Sequence, residues 1–271
     1  MSDESPGDLR LRDLWQRLAG ALRGAGLGDA EIEAEALLRH VLGFDRAEFF
    51  ASLSEPVPHG QADRAEGLAA RRAGGEPLAY ITGRREFYGL DFKVDPRVLI
   101  PRQETELLVD LALEACAGRE RERVVIADVG TGSGAIAVAL ATRLTDAVVY
   151  ATDVSVEALE AASANAERHG VAERVRLLHG DLLDPLPVRA DVIVSNPPYI
   201  ATSQLAELPR DVRREPSLAL DGGTDGTEVI ARLLMQAAQR LKAGGSLFME
   251  MAPEQREAVM RMAHDLSLIH I

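Results

Sequence analysis

Leu11, Leu14, Trp15, Leu18 and Leu22 recur at steps of three and four, the period that places residues on one face of an α-helix. After Gly28-Asp29, a helix-start signal, Ile32, Ala36, Leu37, Val41 and Leu42 repeat the spacing. Pro56 and Pro58 interrupt it, and a third helix is predicted over 59–73. These stretches predict a small helical bundle ending near Gly74-Gly75-Glu76-Pro77. The pattern then changes. Tyr80–Gly83, Glu86–Gly89 and Leu90–Val94 mix aromatic and β-branched residues with turn glycines, which predicts a β-hairpin within 78–100. Ile100–Glu106 leads into a helix through about 117. From 123 onward strands alternate with helices. Strands are predicted at 124–128, 147–153, 174–179, 191–195 and 245–250, and helices at 134–144, 155–168, 225–241 and 253–264. Such alternation implies a parallel sheet covered on both faces, an α/β fold.

Composition narrows the class. The 271 residues are 46% hydrophobic, enough for one large domain or for a large and a small one. No apolar run approaches the roughly 18–20 residues of a membrane span. The start, Met1-Ser-Asp-Glu-Ser5, has no apolar stretch of the signal-peptide kind. With one cysteine, Cys116, an internal disulfide is impossible. Cys116 falls in the apolar pattern Leu107, Leu108, Leu111, Leu113 and reads as a buried thiol. These features predict a cytoplasmic protein with no membrane partner. The formal charge of −13 argues against a partner gripped mainly through phosphates. Arg84-Arg85 and Arg119–Arg123 are the nearest to basic clusters, and the second, interleaved with glutamates, reads as a solvated connector. The six histidines show no metal-ligand spacing, so no metal site is predicted.

The candidate chemistry lies at the carboxyl ends of the predicted strands. Asp128-Val-Gly130-Thr131-Gly132-Ser133-Gly134 joins the first parallel strand to its helix. Glycines let backbone approach a ligand, and the helix start offers unpaired N–H groups. The spacing is not the G-x-G-x-x-G of dinucleotide folds. Asp128 would repel a pyrophosphate but suits a ligand with a cationic amino-acid end. Asp153, at the end of the second strand, is placed to accept both hydroxyls of a ribose. Together these point to S-adenosyl-L-methionine (SAM). At the end of the third strand, Asp181 is a candidate acceptor for the adenine amino group, with Leu182 packing on the ring.

Ser195-Asn-Pro-Pro-Tyr-Ile200 ends the fourth strand, because proline lacks the N–H that a central strand needs. The result is a stiff turn. An amide nitrogen is a poor nucleophile, its lone pair being delocalised into the carbonyl. The Asn196 side-chain oxygen and the Pro197 carbonyl could grip the two N–H bonds of such a group and aim its nitrogen at a methyl carbon. Tyr199 would pack on the flat amide.

Several blocks resemble one family. They are Leu78–Gly83, Glu86–Gly89, Val98–Arg102, Thr105-Glu106, Asp128–Gly134, Val194–Ile200, Glu215-Pro216, Leu220–Gly223 and Asp225-Gly226. The chain resembles the peptide chain release factor N5-glutamine methyltransferases, the PrmC/HemK family, from its N-terminal helices to about residue 263. The resemblance implies a Rossmann-like class I SAM-dependent methyltransferase sheet preceded by a small helical bundle and a hairpin connector. It also implies methyl transfer to the glutamine amide of the Gly-Gly-Gln motif of class I peptide chain release factors. Carried over by position, Gly130, Thr131, Gly132, Ser133, Gly134, Asp153, Leu182 and Asn196 contact SAM, and Asn196, Pro197, Pro198 and Tyr199 hold the glutamine. The expected domains are a release-factor-docking bundle over 1–75, a connector over 76–102 and a methyltransferase domain over 103–271. The end, Ala263–Ile271, departs from the family, which continues with two more strands, so a truncated frame with an uncovered sheet edge is expected. Two other functions use the same features: an N6-adenine DNA or RNA methyltransferase, with Tyr199 stacking on a flipped base, and a SAM-binding scaffold without catalysis.

Overall fold

The computed structural model describes residues 9–117 and 123–268. The predicted connector at Arg119–Arg123 lies outside them except for Arg123. The chain forms two compact units, Met1–Gly83 and Arg84–Ile271.

The first unit is helical: α1 (Leu11–Gly24), α2 (Ala30–Leu42), α3 (Arg46–Ala51), α4 (His59–Ala73) and α5 (Leu78–Thr82). Leu11, Leu14, Leu18 and Leu22 of α1 are all buried, as their spacing predicts. An isolated helix of this length is marginal in water. Four buried leucines contribute on the order of 6–12 kcal/mol by transfer from water, so packing rather than propensity holds α1. On α2 the buried stripe runs through Ala30, Ala34, Leu37, Leu38 and Val41, and Ile32 is exposed, contrary to the predicted apolar face. Two residues before Ala34, it points to the far side of the helix. Arg72 of α4 reaches back to Glu33 of α2 with paired bonds of 2.6 and 3.0 Å. Helix α3 was not predicted. It starts at a capping box, in which Asp45 accepts from the Glu48 N–H and Glu48 from the Asp45 N–H, each at 2.8 Å. Residues 78–82, expected within the hairpin, form α5 instead. Pro77 precedes it, Gly83 ends it in the left-handed region at φ 70°, and Ile81 buries against the helical core. That burial outweighs the β preference of Tyr80 and Ile81.

The second unit opens with the hairpin β1 (Arg84–Phe87) and β2 (Leu90–Lys93), paired antiparallel. Phe87 and Phe92 are fully buried. There follow α6 (Glu106–Cys116), β3 (Val125–Val129), α7 (Ala135–Arg143), β4 (Val148–Asp153), α8 (Val156–Arg168), β5 (Val175–His179), β6 (Ala190–Ser195), α9 (Glu228–Arg240), β7 (Leu241–Met249) and α10 (Arg256–Asp265). Cys116 is buried. Between β6 and α9 the chain makes three 3₁₀ turns, at 202–207, 212–214 and 217–219, that no sequence pattern indicated.

The five-stranded sheet is parallel throughout, in the order β5-β4-β3-β6-β7. The chain begins at the centre, moves outward through β4 and β5, then crosses to the other side of β3. The carboxyl ends of β3 and β6 therefore flank the point where the order reverses, the place at which such sheets bind ligands. Central position explains composition: every residue of β6 is buried, and α7, almost wholly apolar, is buried from Ala135 to Ala141. Asn165 of α8 joins the parts. Its Oδ1 accepts from the Lys93 N–H at 2.8 Å, and its Nδ2 donates to the carbonyls of Lys93 and Ser133 at 3.0 and 2.8 Å. At the other side β7 is the edge strand, partly exposed along its length.

Candidate active site

Two turns meet at the reversal point. The first follows β3. Gly130 and Gly132 adopt φ of 70° and 54°, conformations that glycine reaches without strain, and a Cβ at either would meet nothing within 4 Å. The space above this turn is open to a ligand. Beneath it Asp128 is buried. Its Oδ2 accepts from the Thr131 hydroxyl at 2.6 Å and the Ala137 N–H at 3.1 Å. Its Oδ1 is buried with no hydrogen-bond partner among the described residues. Burial pushes the Asp128 carboxyl up to about 7 despite those two bonds, and the neighbouring Asp153 charge adds to the rise. Gly134, at φ 80°, serves packing: a Cβ there would come within 3.1 Å of Ala162 on α8. Thr131 and Ser133 are buried.

At the end of β4, Asp153 Oδ2 accepts from the Gly132 N–H and Oδ1 from the Ser155 N–H, both at 2.9 Å. Each oxygen retains a second lone pair for a ligand. After β5, Leu182 adopts φ 47°, a strained conformation for a side chain of this size. Asp181 is paired with Arg232 of α9.

The second turn follows β6. Asn196 Nδ2 donates to the Thr105 hydroxyl oxygen at 3.1 Å. The Tyr199 hydroxyl donates to Glu250 Oε1 at 3.0 Å, and the Tyr199 carbonyl accepts from Gln255 Nε2 at 2.8 Å. Burial, with the Glu250 carboxylate alongside, pushes the Tyr199 phenol up to about 12, so it stays protonated. A glycine loop clamps the turn from outside. Ile200 donates to the Leu220 carbonyl at 3.0 Å, and the Gly222 N–H donates to the Ile200 carbonyl at 2.8 Å. The Ile-Pro-Arg and Glu-Pro blocks also meet: Glu215 accepts from the Ile100 N–H at 3.0 Å and from Arg102 at 2.5 Å.

A cavity of about 540 Å³ joins the two turns. Gly130, Gly132, Asp153, Asp181, Leu182, Asn196 and Pro198 line it, seven of the residues expected in the site. Asp128, Thr131, Ser133 and Gly134 support the glycine turn from within. Tyr199 lines a neighbouring cavity of about 450 Å³. The sequence assigns no site role to Thr105, Arg232, Glu250 or Gln255, although Thr105 stands in one of the blocks that carry the resemblance. Glu250 carried one signal, its position at the carboxyl end of a predicted strand. Arg84 is engaged with Asp91, and Arg85 with the Pro101 carbonyl, so the predicted basic pair serves the local structure.

The donor set fits SAM. A buried carboxylate oxygen without a partner suits a cationic end, Asp153 suits a diol, and the volume lies in the usual range for a small-ligand site, roughly 300–1,000 Å³. The solved hMettl16 catalytic domain, in complex with MAT2A 3'UTR hairpin 6, matches with TM-score 0.51 and 18% identity, over 74% of this chain and 73% of that one. That likeness concerns the fold; with the family match over 104–209, the methyltransferase small domain, it defines a SAM-dependent methyltransferase of Rossmann-like fold. Family models match at 13–83, the PrmC N-terminal domain, and at 104–209, the methyltransferase small domain. The release factor glutamine methyltransferase of Moorella thermoacetica is 48% identical, over 92% of this chain and 89% of its own length. That of Geobacter sulfurreducens is 42% identical, over 96% and 90%. The chain belongs to the release factor glutamine methyltransferase family, as the sequence blocks suggested.

Proposed function

We propose that this protein transfers a methyl group from SAM to the side-chain amide nitrogen of the glutamine in the Gly-Gly-Gln motif of class I peptide chain release factors. One observation carries the reading to atoms: a single cavity runs from the glycine turn and Asp153 to Asn196 and Pro198. SAM, when bound, supplies an electrophilic methyl carbon on a sulfonium. Asp153 accepts from the ribose, and Asp181 and Leu182 meet the adenine. Gly130 and Gly132 form the wall toward the amino-acid end, supported from within by Thr131, Ser133 and Gly134, with the Asp128 carboxyl beneath.

Asn196 Oδ1 and the Pro197 carbonyl accept the two N–H bonds of the glutamine amide. Pro197 and Pro198 keep that geometry stiff, and Tyr199 covers the amide face. Held so, the nitrogen is oriented and drawn toward a pyramidal shape, which is catalysis by positioning. Asn196, Pro197 and Tyr199 are the catalytic residues of this reading. The helical region, placed at 1–75, supplies docking surface for the release factor, and the matched N-terminal family domain at 13–83 supports this. The segment 76–102 serves as the connector and 103–271 as the methyltransferase domain. The protein acts in the cytoplasm, on a protein rather than on nucleic acid or membrane; among the described residues no helix is long and apolar enough to cross a membrane.

The test is incubation with methyl-labelled SAM and a purified release factor, carrying either Gly-Gly-Gln or Gly-Gly-Ala. Label on the first alone is expected. Label on both, or on neither, overturns the assignment. A steep salt-dependent affinity for DNA or RNA would point instead to an adenine substrate.

A further inference from the structure

We propose that Glu250 and Thr105 are positioning residues that fix which end of the Asn196 carboxamide faces the substrate. The inference rests on the function proposed above and names residues that function leaves unassigned.

Glu250 follows the last residue of β7, and its N–H donates to the Ser195 carbonyl at 3.0 Å, next to Asn196 in sequence. The two Glu250 oxygens are divided between two donors: Oε1 accepts from the Tyr199 hydroxyl at 3.0 Å, and Oε2 from the Thr105 hydroxyl at 2.7 Å. Thr105, which immediately precedes α6, is buried. Asn196 Nδ2 lies 3.1 Å from the same hydroxyl oxygen.

Hydrogen-bond chemistry makes this chain directional. An ionised carboxylate has only lone pairs to offer. The single hydroxyl proton of Thr105 is therefore committed to Glu250, and toward Asn196 the hydroxyl can only accept. An asparagine amide has one accepting and one donating end of nearly the same shape, so its orientation is set by its partner. Against an accepting hydroxyl it must present its NH₂. Oδ1, the end not turned to that hydroxyl, is then the end left for the substrate. A substrate amide nitrogen offers N–H bonds and needs an acceptor there. With the Asn196 amide reversed, two NH₂ groups would face each other. The same carboxylate orients the Tyr199 phenol, so one residue sets the polarity of both sides of the turn.

The proposal is tested with Glu250→Gln, Thr105→Val and Thr105→Ser in the full chain. Gln can donate as well as accept, so it frees the Thr105 proton to turn toward Asn196. Val keeps the shape of Thr without the hydroxyl. For both, kcat on the release factor is expected to fall about 10- to 100-fold with KM for SAM within about 3-fold, and Thr105→Ser is expected to restore kcat to within about 3-fold. Losses for Glu250→Gln and Thr105→Val are expected to be non-additive in the double variant, because they break one relay. Thr105→Val at wild-type kcat, Thr105→Ser as impaired as Thr105→Val, or additive losses would each overturn the relay.

A second readout does not depend on activity. In ¹⁵N-asparagine-labelled protein, the Asn196 side-chain NH₂ resonance, assigned by its loss in Asn196→Ala, is expected to exchange slowly with solvent and to lose that protection in Thr105→Val. Equal exchange in wild type and Thr105→Val would refute the relay even if the enzyme methylates its substrate. Should the wild type transfer no label while this protection pattern appears, the functional reading fails and the orientation of Asn196 stands.

Discussion

Replacing Gly222 by alanine probes the clamp that holds the turn after β6. Gly222 is not in a left-handed conformation, so the penalty comes from space alone. An added Cβ would lie 2.8 Å from the Pro198 carbonyl oxygen, 2.8 Å from the Tyr199 Cα and 2.6 Å from the Gly226 carbonyl oxygen. All three are backbone atoms and no rotamer change relieves them. Ordinary contact begins near 3.4 Å, so the loop and the turn must separate by about 0.6–0.8 Å. Overpacking of this kind costs about 1–3 kcal/mol of stability. For a chain of this size that lowers Tm by about 2–4 °C per kcal/mol. The catalytic cost is the larger effect. A misplacement near 1 Å can cost about 100-fold in rate, so Gly222→Ala is expected to lower kcat by about 10- to 100-fold. SAM affinity should change by less, about 3-fold, because the clash falls on Pro198, Tyr199 and Gly226 and not on the glycine turn after β3 or on Asp153. The assay is methyl transfer to the release factor at saturating SAM, with Kd for SAM and a thermal melt on the same sample. A kcat within about 2-fold of wild type, with the variant folded, would refute the argument that the clamp fixes the turn.

Asp153→Ala removes the acceptor expected to meet the ribose and should weaken SAM binding by about 10-fold or more in calorimetry, with no comparable effect on release-factor affinity. The Asp128 carboxyl, pushed up to about 7 from an unfolded value near 3.9, binds more protons folded than unfolded between those limits. Its contribution to stability therefore falls as pH rises from about 4 to about 7 and levels off above. The stability difference between wild type and Asp128→Asn, from denaturant unfolding, is expected to drift against the wild type across that window, and a flat difference would contradict the assigned cause. Gly67, exposed within α4 with open space where a Cβ would go, should accept alanine with a gain of about 0.5–1 kcal/mol, read from the urea midpoint.

Legibility in the sequence followed the range of the interaction. The leucine repeat of α1 and the strand–helix alternation after 123 are local periodicities, and both appear in the structure as read. The Asp45–Glu48 box is equally local, but the helix it starts, α3, is too short to show a period. Residues 78–82 form a helix against their β preference because that preference is weaker than the pull of the helical core on Ile81. Asn196, Asp153 and the glycine turn could be read because each closes a strand, and a parallel sheet gathers those ends. Thr105 and Glu250 could not be paired from sequence. They are 145 residues apart, and only the adjacency of β6 and β7, with α6 packed beside them, brings them together.

In the proposed reaction the turn after β6 holds a planar carboxamide by two acceptors, beside the cavity that the glycine turn and Asp153 line. The most direct measurement is a crystal structure with S-adenosylhomocysteine and a peptide containing Gly-Gly-Gln. The glutamine nitrogen is expected within about 3.2 Å of both Asn196 Oδ1 and the Pro197 carbonyl oxygen, on the side facing the sulfur. A glutamine bound elsewhere, or with its oxygen rather than its nitrogen turned to Asn196, would contradict it.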